Sequence, residues 1–144
     1  MGILFDKNGN LPKGIHLMTL ENFELQFGYN DRRRKLIEGL KEGIKNLKDC
    51  GCITIYIDGS FVTKKENPGD FDACWDHEGV DLSKLKNRYP VLLDFSNSRR
   101  NQKDKYGGEF FLAKREAAPF AIFLDFFQTD RNGFSKGIVQ INLS

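Results

Sequence analysis

The chain has 144 residues, 40% of them hydrophobic and 29% charged, with a net charge of +2. That size suits one domain spanning 1–144, and the balance is that of an ordinary globular chain, which argues against disorder. No apolar run is long enough to cross a bilayer, no basic-then-apolar leader opens the chain, and +2 is too small to mark a nucleic-acid binder by bulk charge; a soluble, cytoplasmic protein without membrane attachment is expected.

Residues 1–18 contain two turn-forming strings, Lys7-Asn8-Gly9-Asn10 and Leu11-Pro12-Lys13-Gly14, and read as an irregular N-terminal arm. Thr19 suits the N-cap of a short helix with Leu20, Phe23 and Phe27 on one face, ending near Gly28. A longer helix starts at Asn30 or Asp31, carries Leu36, Ile37, Leu40, Ile44 and Leu47 on one stripe, and stops at Gly51. Its opening Arg32-Arg33-Arg34 places cations where the helix dipole opposes them. Nucleic-acid phosphate, an acidic partner, or an internal pair with Glu38 or another acid would offset that cost.

Ile53-Thr54-Ile55-Tyr56-Ile57 is β-branched and apolar between Gly51 and Gly59, the pattern of a strand inside a sheet. Residues 62–69 are polar, contain Pro68-Gly69, and lead as a loop into a second strand, Asp70 to Trp75. Asp81 is a cap for a short helix through Leu85, and Val91 to Phe95 reads as a third strand after Pro90. Asn97 to Lys105 suits a helix or a mobile loop, Gly108 to Leu112 a strand, Phe120 to Phe127 an apolar core run, and Ile138 to Leu143 an edge strand. Helices alternating with strands indicate an α/β (α+β) fold, a twisted mixed β-sheet with helices packed against it.

Cys50, Cys52 and Cys74 are odd in number, and Cys50-Gly51-Cys52 is too tight for an ordinary disulfide, so reduced thiols are expected. His16 and His77 stand in unrelated segments, which argues against a zinc site.

The chemistry concentrates in Gly59-Ser60 and Asp70-Phe71-Asp72. One residue separates the two aspartates, so on a strand they share a face and can converge on one hard cation, Mg2+ or Mn2+. A glycine and a serine closing the preceding strand let backbone N–H groups and a hydroxyl approach a phosphate chain. Asp94 at the end of the third strand would add a third carboxylate as metal ligand and base, with Glu109 and Asp125 as alternatives. Lys64 and Lys65 are candidates to neutralise a triphosphate, and Arg99, Arg100, Lys103 and Lys105 to bind a polyanionic acceptor. Each feature also has an ordinary reading: a Pro-Gly turn before Asp70, a turn-starting Asp94, solvated lysines.

Gly59-Ser60, nine residues, Asp70-Phe71-Asp72 and an apolar strand with an acid resemble the signature of the DNA polymerase beta-like nucleotidyltransferase superfamily, in its minimal form, over Ile53 to Phe95. Leu11-Pro12-x-Gly14-Ile15-His16, Arg32-Arg33-Arg34, Asp58 to Thr63 and Lys136-Gly137-Ile138-Val139 resemble a small bacterial DUF6932-like family, which we associate with that superfamily, over nearly the whole chain. The resemblance implies transfer of a nucleoside monophosphate from an NTP to a hydroxyl acceptor such as tRNA, protein or a small molecule. It puts Asp70 and Asp72 on metal and Ser60 near the phosphates. The loop Thr63-Lys64-Lys65-Glu66-Asn67 departs from the Arg-Gly-rich string of common minimal members. The rival expectation is a non-catalytic nucleotide-binding or interaction module, such as one component of a toxin–antitoxin or defence pair. A homodimer or partner protein would supply the acceptor surface that so short a chain lacks.

Overall fold

The computed structural model describes residues 2–114, 116–118, 121–122, 128–129, 132–134 and 136–143. Thr19 caps α1 (Leu20–Phe27), its hydroxyl accepting the Asn22 N–H at 3.1 Å. Asn30 caps α2 (Asp31–Asp49), accepting the Arg33 N–H at 2.8 Å. The expected stripe of Leu36, Ile37, Leu40, Ile44 and Leu47 is buried. Gly51, at φ 96°, turns the chain, and its N–H reaches the Lys48 carbonyl at 3.0 Å.

The main sheet has five strands in the order β1-β7-β2-β3-β4. These are β1 (Ile15–Met18), β2 (Thr54–Asp58), β3 (Phe71–Trp75), β4 (Gly108–Leu112) and β7 (Ile138–Asn142). β2 is antiparallel to β3 and β7, while β1/β7 and β3/β4 are parallel. A separate antiparallel pair joins β5 (Glu116–Ala118) to β6 (Ala121–Ile122). The whole is an α/β arrangement of four helices and a mixed sheet, completed by α3 (Leu82–Arg88) and α4 (Ser96–Tyr106).

Strand alternation sorts the sheet into two faces. Ile55, Ile57, Phe71, Ala73, Trp75, Phe110, Val139 and Ile141 belong to the main core with the helical stripe. A Cβ on Gly43 of α2 would collide with the Phe110 ring, so glycine lets this helix lie close on the sheet. The opposite face carries a smaller cluster of Cys74, Phe111 and Ala113 with Tyr56 against it. The same alternation places Asp58, Asp72 and Glu109 there.

Three expectations are corrected. The N-terminal arm is not wholly irregular: after the turn at Gly14, residues 15–18 pair with β7 as a parallel edge strand. Val91 to Phe95 is not a strand but a 3-10 turn, Pro90–Leu93; proline at its first position favours a helical start and only Leu92 is fully buried. Ile138 to Asn142 is not an edge strand but sits between β1 and β2. Asn97 to Lys105 falls within α4, whose residues Asn97, Ser98 and Arg99 depart from the α-helix at positive φ, and Asp81 caps an α3 that continues past Leu85 to Arg88. The three cysteines are free thiols. Of the apolar run Phe120 to Phe127, only Ala121 and Ile122 are among the described residues. No helix among the described residues is long and apolar enough to cross a membrane.

Candidate metal centre

Asp70 immediately precedes β3 and Asp72 lies within it, so the two carboxylates share the face turned from the main core. β4 runs parallel to β3 and sets Glu109 opposite Asp72. One carboxylate oxygen from each of Asp70, Asp72 and Glu109 lies within 4.8 Å of the other two. Burial raises the Asp72 carboxyl to about 7, the charges of Asp70 and Glu109 adding to the effect. Burial and Glu109 raise Asp70 in the same direction. Three hard oxygen donors whose charges penalise one another fit a divalent cation such as Mg2+ or Mn2+.

A fourth acid lies behind them. Asp58 ends β2 directly across from Asp72 and is 1% exposed. Its Oδ2 accepts the Cys74 thiol at 3.4 Å, and its Oδ1 has no hydrogen-bond partner among the described residues. Burial, with the neighbouring Asp72, pushes this carboxyl well above the usual range.

The turn Gly59–Val62 follows at once. Gly59 takes a left-handed φ of 77°, and a Cβ there would collide with Asp72 Oδ2. The missing side chain therefore makes room for the carboxylate as well as for the turn. Thr63 Oγ1 donates to the Ser60 carbonyl at 2.6 Å and closes the turn.

Arg33 holds the loop that follows. It is fully buried, and its guanidinium donates to the carbonyls of Phe61 (2.7 Å), Thr63 (2.9 Å), Lys65 (2.6 Å) and Phe27 (3.2 Å). It also lies 4.5 Å from the Tyr29 ring centre and 4.8 Å from that of Phe61. Arg32 donates to the Pro68 and Gly69 carbonyls, just before Asp70. Arg34 pairs with Asp31 and donates to the Gly28 carbonyl. The basic cluster is thus offset by backbone carbonyls and one aspartate, not by Glu38, and two of its members shape the approach to the acids.

Cations ring the centre. The charges of Lys103, Lys65 and Arg32 oppose the rise at Asp70, and those of Lys136 and Arg99 oppose it at Asp72. Arg99 pairs with Glu109 Oε2, and Lys103 Nζ lies 3.5 Å from Oε1. Arg99 closes a left-handed turn of Asn97, Ser98 and Arg99, with φ of 50, 54 and 60°, and lies 4.5 Å over the Phe111 ring. Each such residue costs about 1–2 kcal/mol, so this turn is held by its contacts. The expected basic group divides here, because Arg100 pairs with Asp104 and Lys105 lies 5.4 Å from the Tyr106 ring. Lys65 acts on Asp70, whereas Lys64 is tied to the N-terminal arm by its N–H to the Gly9 carbonyl at 2.8 Å.

Asp94 is outside the acidic group among the described residues. It is half-buried, accepts from the Ser96 hydroxyl (2.5 Å), Asn101 Nδ2 (2.7 Å) and the Ser96 N–H (3.1 Å), and is held below the usual carboxylate range by these bonds. It ties the start of α4 rather than facing Asp72. Asp125 lies outside the described residues.

The model of DUF6932, described as a family of unknown function, matches residues 3–142. The chain belongs to the DUF6932 family. No curated protein matches the chain, and no solved structure does. The stretch shared with DUF6932 includes Asp58, Gly59, Ser60, Asp70, Asp72 and Glu109, and the family description carries no activity, so function rests on the site's own chemistry.

The sequence singles out Asp70 and Asp72, with Glu109 only as an alternative; it assigns Asp58 no role, and it leaves Arg33 an internal pair with an acid as one option but no bonding to backbone carbonyls. An ionisable residue ending an otherwise apolar strand against Gly-Ser was the available signal for Asp58. Arg33 had no such signal, since its partners are backbone carbonyls distant in sequence.

Proposed function

We propose that the chain is a metal-dependent nucleotidyltransferase, transferring a nucleoside monophosphate from an NTP to a hydroxyl acceptor. The observation that carries this reading is the convergence of Asp70, Asp72 and Glu109 beside the glycine turn, with Asp72 seated against Gly59. In this reading Asp70, Asp72 and Glu109 hold Mg2+ or Mn2+, and Gly59, Ser60 and Lys65 face the phosphates. Glu109 takes the place expected of Asp94. The cation would supply charge neutralisation on the phosphates and lower the pKa of the attacking hydroxyl.

The chain's own residues account for the rest. The acceptor oxygen bonds to the α-phosphorus, the α–β anhydride bond breaks, and pyrophosphate leaves toward the surrounding cations. A carboxylate or solvent beside the acceptor takes the hydroxyl proton. The ring of Lys65, Lys103, Arg99, Lys136 and Arg32 favours a polyanionic ligand.

One observation favours a second reading, a nucleotide-binding or interaction module without turnover, such as half of a toxin–antitoxin or defence pair. Both Glu109 oxygens are engaged by Arg99 and Lys103, which compete with a metal for the third ligand. Incubation with each α-labelled NTP and Mg2+ or Mn2+, together with tRNA and candidate proteins as acceptors, separates the two. Metal-dependent labelling lost in Asp70→Asn supports transfer. Metal-dependent binding without labelling or pyrophosphate release across acceptors supports the module.

A further inference from the structure

We infer that Asp58 is a fourth acid of the metal centre and, with Asp72, forms a second, deeper cation subsite beneath the Asp70, Asp72 and Glu109 group. The inference rests on the metal-binding reading of that group and extends it to a residue to which the superfamily resemblance gives no role.

The first observation is placement. Asp58 and Asp72 are direct cross-strand partners of β2 and β3, on the same face. Such pairs bring Cβ atoms to about 4.5–5.5 Å, within reach of one ion between the two carboxylates. Asp72 Oδ2 lies over Gly59, the residue next to Asp58, so this oxygen leans toward the end of β2. The second observation is independent of clustering: Asp58 is 1% exposed and its Oδ1 lacks a hydrogen-bond partner among the described residues. An unpaired buried carboxyl oxygen carries a desolvation penalty, and native structures rarely keep one without an ion, a water or a chemical role to answer it. The Cys74 thiol fixes the other oxygen at 3.4 Å and so holds the side chain in place.

The donor set suits a hard cation that retains water. Asp58 lies outside the group of three within 4.8 Å, so the deep subsite offers two carboxylates, one of them shared. Mg2+ and Mn2+ are commonly held by one or two carboxylates, with water and substrate phosphate filling the remaining positions.

The test counts Mn2+ bound to the intact chain, by the loss of free-ion electron paramagnetic resonance signal, in wild type, Asp58→Asn, Asp70→Asn and Glu109→Gln. Near-ultraviolet circular dichroism verifies that each variant is folded. The expected result is two ions in wild type and one in Asp58→Asn, with the remaining affinity within about threefold of the wild-type triad site and the triad ion lost in Asp70→Asn. One ion in wild type, lost in Asp70→Asn and unmoved in Asp58→Asn, overturns the deep subsite and leaves the metal centre standing. The wild-type count decides even where Asp58→Asn does not fold, since a single ion excludes a second subsite. Absence of Mn2+ binding by wild type overturns both this inference and the reading on which it rests.

Discussion

Glu109 stands opposite Asp72 in the parallel register of β3 and β4, and this pairing makes it the third acid of the group. Asp94 instead holds the start of α4 through Ser96 and Asn101. Glu109→Gln is expected to weaken Mn2+ binding by about tenfold or more, roughly 1.4 kcal/mol. Asp94→Asn should leave it within about twofold. Calorimetric titration of Mn2+ into both variants checks the contrast; equal losses would put the third ligand elsewhere.

The elements that hold this pair were unevenly legible in the sequence. α1 and α2 announced themselves by caps and a 3.6-residue stripe, and β2 and β3 by β-branched or alternating residues between glycines. Val91 to Phe95 misled because a short apolar run fits a strand as well as a buried turn, and Pro90 decided for the turn. β1 was hidden by Pro12 and Gly14, and its pairing with β7 joins segments far apart in the chain. Asp70 and Asp72 were legible because their spacing is local. Glu109 was not decided, because its partnership depends on which strand lies beside β3.

Gly59→Ala places a side chain where Asp72 Oδ2 sits and asks alanine for a φ of 77°. A stability loss of at least about 1–2 kcal/mol follows from the backbone alone. Metal binding should fall with it as Asp72 is displaced. Ser60→Ala, which does neither, should keep both. Urea unfolding with and without Mn2+ separates the effects.

Removing the Arg33 guanidinium leaves the carbonyls of Phe27, Phe61, Thr63 and Lys65 without their buried donor. Arg33→Met is expected to cost at least about 3 kcal/mol in urea unfolding. Arg33→Lys should recover only part of this, because a single ammonium cannot reproduce the planar fork. Full recovery by lysine would show that charge alone holds the loop.

Burial raises Asp72 to about 7 and Asp58 well above its ordinary range. The folded chain therefore retains protons that the unfolded chain releases near pH 4. Stability of the metal-free protein should fall as pH rises from about 4 through 7, the unfolded state ionising first. Mn2+ binding, which needs the ionised carboxylates, should strengthen over the same interval. Thermal unfolding across pH, with and without Mn2+, gives both slopes, and metal-free stability rising over that interval would contradict the assignment.

The central claim is that these acids hold a metal that brings a nucleotide to the Gly59 turn. Its most direct test is calorimetric titration of ATP, GTP, CTP and UTP, each with Mg2+ or Mn2+, into wild type and an Asp70→Asn/Asp72→Asn double variant. At least one nucleotide is expected to bind wild type only when metal is present, and the double variant, still folded, is expected not to bind it. Folded wild type that binds no nucleotide with either metal, or a double variant that binds as wild type does, would contradict the claim.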